Sequence, residues 1–247
     1  HTIKAEAPGA ILFFRLGDFY EMFGPDAIEA SKILDITLTA RNKKEDAVPM
    51  CGIPYHAAEN YIAKLTKAGK KVAICEQISD ASLPGIVKRK IVRVITPGTS
   101  LSEQVLSQKN NRYIAALYPQ KDYFGLAFAD LSTGEFQATE LSGKEDLKNE
   151  MLRLRPSELV LSRDHYDDPD LRPLLAAITD AHLSPSDLYD ESYKLLTEHF
   201  RVSGLDGYGI GNKPFAIQAA GLLLRYLKDT QKDELPHLDR ITSYNKE

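Results

Sequence analysis

Only two cysteines, Cys51 and Cys75, occur among the 247 residues. That is too few for a disulfide framework or a four-ligand zinc site, and both read as small apolar core residues. Two thiols suit a reduced, intracellular compartment and are also compatible with secretion. Long hydrophobic runs are scarce as well. The longest helical apolar stretch, Phe215 to Leu224, is shorter than the roughly 18–20 residues a membrane span needs. The first ten residues, His1 to Ala10, carry no signal-peptide pattern, so the chain reads as soluble.

Several chemistries lack their residues. No Gly-x-x-x-x-Gly-Lys-Ser/Thr loop is present to cradle a nucleotide phosphate. The cluster Gly207, Gly209 and Gly211 departs from dinucleotide-loop spacing and reads as a turn. The histidines His1, His56, His165, His182, His199 and His237 show neither metal-ligand spacing nor a convincing triad partner. Asp167, Asp168 and Asp170 lack the glycine and distant glutamate of a calcium loop, and read as a solvated loop leading into a helix.

What remains is an ordinary globular composition, 43% hydrophobic and 27% charged, with length for one large domain or two modest ones. The net charge of −4 is uneven. Residues 1–110 hold 15 Lys and Arg against 12 Asp and Glu, a net +3, and residues 111–247 hold 16 against 23, a net −7. An acidic chain does not coat nucleic acid along its whole surface, but a local contact by the first half stays open. The second half suits a protein partner.

Hydrophobic patterning predicts a strand over Ile11–Arg15, a helix opened by Gly24-Pro25-Asp26, and a strand over Ile36–Thr39. A polar loop from Arg41 to Asp46 follows. An amphipathic helix spans Ala57–Ala68 and ends at Gly69, and strands cover Lys71–Ile78 and Ile86–Ile95. Ser107–Arg112 is polar and aperiodic, which sets a domain boundary there: 1–110 and 111–247. Beyond it, Tyr113–Tyr118, Gly125–Leu131 and Glu135–Leu141 read as strands, the last two joined by a Ser132-Thr133-Gly134 turn. Ser142 to Glu145 fits a capping box for a helix stopped by Pro156, and Glu158–Leu161 gives another strand. Helices cover Ser186–Phe200 and Phe215–Thr230. Two α/β domains are expected.

Asp130 ends an apolar strand just before a turn, a place where a nuclease can hold a metal-binding carboxylate. Glu135 and Glu158 are its nearest companions in the pattern, and two-metal chemistry needs such carboxylates to converge. A metal-dependent nuclease centred on Asp130 is therefore the alternative reading.

The most unusual segment is Gly17 to Phe23, between a strand and a helix. Phe19 and Glu21 are two residues apart, so in an extended segment both project the same way. One reading buries Phe19, Tyr20 and Phe23 and leaves Glu21 exposed. The other is a DNA-reading surface, in which an aromatic side chain wedges into a duplex and stacks on a base. A carboxylate beside it would repel phosphates and is tolerated if it accepts a hydrogen bond from a base. A mispaired or looped-out base has already lost part of its pairing energy, so deformability gives selectivity. Cations for phosphates lie in Arg41, Lys43 and Lys44, in Lys64, Lys67, Lys70 and Lys71, and in Lys88, Arg89, Lys90 and Arg93.

The run Phe13 to Phe23 resembles the mismatch-recognition segment of the bacterial MutS family, as do Pro49–His56, Val72–Gln77 and Val94–Thr99. Phe128–Phe136, Arg155–Leu159, Ala219–Gln231 and Leu235–Leu238 resemble the MutS connector domain. The resemblance implies that Phe19 stacks on the mispaired base, that Glu21 hydrogen-bonds it, and that Arg41 contacts the DNA backbone, with Lys43 and Lys44 beside it. It implies a mixed sheet flanked by helices, then an RNase H-like connector without catalytic carboxylates, which passes DNA and nucleotide state between domains and contacts MutL. The family continues into lever, clamp, ATPase and dimerisation regions that use ATP and Mg. The chain is thus expected to be a recognition-plus-connector fragment: monomeric where the full-length protein is a homodimer, without ATPase activity, catalytic residues, metal or cofactor, and weak and salt-dependent in DNA binding. A cytoplasmic, nucleoid-associated location follows from the same resemblance.

Overall fold

The computed structural model describes residues 3–41, 47–78, 88–100, 113–187 and 191–244. The chain divides into two compact α/β units, one of residues 1–108 with 230–232, the other of 109–229 with 233–247. The polar Ser107–Arg112 stretch expected at the boundary lies outside the described residues.

In the first unit, β1 (Ala10–Leu16) and β2 (Phe19–Phe23) form an antiparallel hairpin with Leu16 opposite Phe19. The connection is only Gly17-Asp18, and Gly17 takes the left-handed φ of +58° that such a short turn requires. Segment 17–23, expected as an extended loop, is therefore a hairpin turn followed by a complete strand. Strand β2 runs straight into α1 (Gly24–Leu34), with Pro25 in the first turn, where its missing N–H costs nothing. The helix stops at Asp35, whose φ is +54°.

The next strand, β3 (Thr39–Arg41), begins where the expected one ended. Its register comes from pairing with β4 (Val48–Pro54), Thr39 opposite Met50, while Ile36 packs against the core instead. After α2 (Ala58–Lys67), β5 (Lys71–Gln77) lies parallel to β1, and β6 (Arg89–Ile95) is antiparallel to β5. The sheet order is β3-β4-β2-β1-β5-β6.

Alternation along these strands sorts the side chains onto two faces. Ile11, Phe13, Tyr20, Met22, Cys51, Ile53, Val72 and Ile74 pack on one face against Ala27, Ala30 and Leu34 of α1 and Ile62 and Leu65 of α2. On the other face a smaller cluster of Ala10, Ala73, Cys75, Ile91 and Val94 covers only the β1, β5 and β6 side, with Leu12 and Phe14 at its margin.

The second unit is built on β7 (Ile114–Gln120), β8 (Tyr123–Asp130) and β9 (Glu135–Ser142), an antiparallel meander. Parallel strands extend it to the order β11-β10-β7-β8-β9-β12, where β10 is Glu158–Ser162, β11 His182–Ser186 and β12 Thr242–Ser243. The helices are α3 (Lys144–Leu154), α4 (Arg163–Tyr166), α5 (Leu171–Ile178), α6 (Ser192–Phe200) and α7 (Pro214–Gln231). Helices α6 and α7 cover one face, and α3 and α5 the other.

Two local expectations are corrected. Ser186, placed in a helix, ends strand β11, and α6 starts at Ser192. Pro185 hid that strand, because proline is admitted only where no ladder hydrogen bond is lost, as on this outermost strand. The cap of α3 is Gly143, with φ of +83° and no side-chain cap, so Ser142 is not the capping residue. The Asp146 carboxylate instead accepts the Ser142 N–H at 3.3 Å.

Candidate nucleic-acid interface

Strand β2 alternates exposed Phe19, buried Tyr20, half-buried Glu21, buried Met22 and half-buried Phe23. Phe19 and Glu21 therefore share the face opposite α1 and α2, their Cα atoms about 7 Å apart along a strand rising ~3.4 Å per residue. The Phe19 side chain is not sealed in the core: the residue is 47% exposed. Residues paired across a sheet project to the same side. Phe14 of β1 and Gly52 of β4 flank Glu21, while Leu16 and Pro54 flank Phe19. The Arg89 guanidinium reaches this face, 5.0 Å from the centre of the Phe14 ring, and its Nε donates to the Arg15 carbonyl at 3.4 Å.

The intervening residues anchor the strand from below. The Tyr20 ring lies 5.7 Å from that of Phe13, and its hydroxyl donates to Glu76 of β5. Burial first, then the Glu76 carboxylate, push the Tyr20 hydroxyl up to about 12. Met22 is fully buried, its sulfur 3.9 Å from the Cys51 thiol. Burial raises the thiols of Cys51 and Cys75 to about 11, so both stay protonated and unreactive at neutral pH.

The hairpin tip is clamped as well. Arg15 donates from Nε to the Gly17 carbonyl at 2.5 Å, and its guanidinium lies over the Tyr55 ring, 3.6 Å from the centre. The Tyr55 N–H donates to the Asp18 carbonyl at 3.0 Å. The chain leaving β4 thus wraps the turn that presents Phe19.

The expected cations are scattered. Arg41 is the last residue of β3, paired through its backbone with Val48. Lys43 and Lys44 lie outside the described residues. Lys64 and Lys67 are exposed at the end of α2, Lys88 and Lys90 are exposed beside Arg89, and Lys70 pairs with Glu29 at 2.5 Å.

The carboxylates of the alternative reading do not converge. Asp130 and Glu135 are a directly opposed cross-strand pair, and their face is the one packed by α3 and α5. Glu158 aligns through Ile114 with Ala129, the residue before Asp130, and so projects from the opposite face. The Asp130 carboxylate, 1% exposed, accepts the Ser132 N–H at 2.8 Å and the Ser132 hydroxyl at 2.6 Å. It holds the turn. Buried Glu158 accepts hydroxyls from Ser184 and Tyr226. Among the described residues no group of three or more His, Cys, Asp or Glu could hold a metal ion, and no helix is long and apolar enough to cross a membrane.

The sequence pattern singled out Phe19 and Glu21 as candidates, which share one face of β2. It missed Tyr20 as their anchor, the Arg15–Tyr55 stack and the bare backbone at Gly52. Strand alternation was the available signal for Tyr20. The other two depend on pairings between strands distant in sequence.

Two compact α/β units, the first presenting an exposed aromatic beside a carboxylate, match two known domains. Residues 1–104 match MutS domain I and residues 112–239 match MutS domain II. The chain belongs to the MutS family. It is 44% identical over 249 residues to the DNA mismatch repair protein MutS of Halothermothrix orenii, an alignment covering 99% of this chain and 28% of the relative. The MutS proteins of Myxococcus xanthus (45% identity, 97% of this chain and 28% of the relative) and Lachnoclostridium phytofermentans (43%, 98% and 26%) align similarly. The chain thus spans about a quarter of the length of these relatives. Both matches are to domains I and II, neither to an ATPase domain.

Proposed function

We propose that this chain reads mispaired or unpaired bases in duplex DNA through an aromatic wedge, Phe19, and a hydrogen-bonding carboxylate, Glu21. The observation that carries the reading is the placement of both on the face of β2 opposite α1 and α2, with Phe19 47% exposed. An exposed aromatic on a rigid strand is a wedge that needs no rearrangement before it enters a base step. Stacking alone is worth about 1–3 kcal/mol per base and is indifferent to base identity. The preference for a mismatch then comes from the lower cost of opening a step whose pairing is already impaired. Glu21 checks the displaced base by accepting its hydrogen bond.

Arg41, Lys43 and Lys44 are assigned to the DNA backbone, where cations position a protein without reading sequence. Residues 1–110 form the recognition domain and residues 111–247 the connector, whose end leads toward a lever. The strand order β9-β8-β7-β10-β11, a meander extended by two parallel strands, supports an RNase H-like connector. Its carboxylates serve turns and hydroxyls rather than catalysis. In the longer protein this connector passes DNA and nucleotide state to ATPase domains of a homodimer and meets MutL, in the bacterial cytoplasm.

The test is a titration of the chain, at low and moderate salt, against a duplex carrying a mismatch and its matched counterpart, each with a fluorescent adenine analogue beside the central step. Tighter binding to the mismatch, with quenching lost in Phe19→Ala, is the expected result. Equal affinity for both duplexes, or a preference that survives Phe19→Ala, refutes the mechanism.

A further inference from the structure

On β4, position 52 faces solvent on the same side as Phe19 and Glu21, directly opposite Glu21. It is a glycine, the residue that contributes least to a strand. Three ordinary reasons for a strand glycine do not apply. Its φ is not in the left-handed region, so the backbone accepts an L side chain. It is not at a turn, since β4 runs on through Pro54. Nor is it crowded: a Cβ there would lie 3.5 Å from the Tyr20 carbonyl oxygen, 3.7 Å from Glu21 Cγ and 3.8 Å from Phe19 Cδ1, all ordinary contacts. Gly125 of β8 shows the contrast, because a Cβ there would fall 1.9 Å from the Phe215 carbonyl oxygen.

The fold thus tolerates a side chain at position 52, yet none is there. The two side-chain atoms nearest to the missing Cβ belong to Phe19 and Glu21. Any longer group would extend from a Cβ already in contact with Glu21 Cγ and Phe19 Cδ1. We infer that Gly52 is a specificity-determining residue of the recognition surface: its bare backbone keeps open the space between the Phe19 ring and the Glu21 carboxylate, and that space is filled by a displaced nucleobase. The inference rests on the mismatch-reading role proposed above. It adds that clearance across the strand pair decides whether a base can lie on the ring and reach the carboxylate together.

The experiment compares Gly52→Ala and Gly52→Val with the unsubstituted chain and with Phe19→Ala, in the same titrations against mismatched and matched duplex, with thermal melting of each variant. Valine suits an exposed strand position, so its melting temperature is expected to equal or exceed that of the unsubstituted chain. Its affinity for the mismatched duplex is expected to fall at least about tenfold, the loss of one stacked base, with matched-duplex binding unchanged. Alanine, which reaches only to contact distance, is expected to fall between. A valine variant that keeps the mismatch preference while Phe19→Ala loses it overturns the inference and leaves the wedge intact. A preference retained by Phe19→Ala overturns the wedge itself. A marked fall in melting temperature for both Gly52 variants would also overturn the inference, because the glycine would then be a requirement of the fold.

Discussion

The Tyr20 hydroxyl reaches over β1 to donate a hydrogen bond to Glu76 on β5, 56 residues further along the chain. This contact pins β2 from its buried side between the two residues it presents on the other. It makes the position of Phe19 and Glu21 a property of the whole sheet.

Tyr20→Phe keeps the ring in the core and removes only the donor. A hydrogen bond to a charged group contributes about 1.5–3 kcal/mol, and the half-buried Glu76 regains part of that from water, so a loss of about 1–2 kcal/mol is expected. A urea titration followed by circular dichroism measures it. An unchanged midpoint would show that the Glu76 contact contributes nothing to holding the strand.

Glu21→Gln removes a negative charge from the face expected to meet DNA while keeping a hydrogen-bonding side chain. Binding to matched duplex is expected to be preserved or strengthened, and discrimination to narrow. Anisotropy titrations with both duplexes decide it. Equal weakening on both would contradict the assigned role.

Gly125→Ala forces a methyl group against the backbone of Phe215, where α7 begins. That helix end is held by Glu140 of β9, whose Oε1 accepts the N–H groups of Phe215 at 2.8 Å and Ala216 at 3.4 Å. Backbone cannot yield as a flexible side chain does, so the substitution is expected to cost at least about 1–3 kcal/mol. Hydrogen exchange should show the loss first at the start of α7. Wild-type protection there would mean that the close approach is relieved without cost.

The two units are expected to respond to pH in different windows. In the first, Cys51, Cys75 and Tyr20 all titrate higher when folded, near 11, 11 and 12. The fold favours their protonated forms, so this stability is full below about pH 9, the unfolded thiol range, and is lost as pH rises through the folded values. In the second, burial lowers the pKa of His165 and His199 below the ordinary 6.5. The fold favours their neutral forms, so stability is full above about 6.5 and declines as pH falls below it. Hydrogen exchange with mass spectrometry at pH 5.5, 7.5 and 9.5, corrected for intrinsic rates, follows each unit separately. Peptides of β1, β2 and β5 should lose protection in alkali, and peptides of α6 and α7 in acid. The absence of such a difference would count against these assignments.

The amino-acid sequence alone determined that two α/β halves would form, because apolar periodicity, turn residues and charge balance are local properties of a chain. It also singled out Phe19 and Glu21, since alternation puts residues two apart on one side of any extended segment. Tertiary structure decided which side that was: Tyr20 and Met22 turn inward because α1 and α2 cover one face of the sheet, and Phe19 and Glu21 lie on the opposite one. Only strand pairing could bring Gly52 opposite Glu21 or set Glu158 and Asp130 on opposite faces, for register depends on residues far apart in the chain and no local pattern records it.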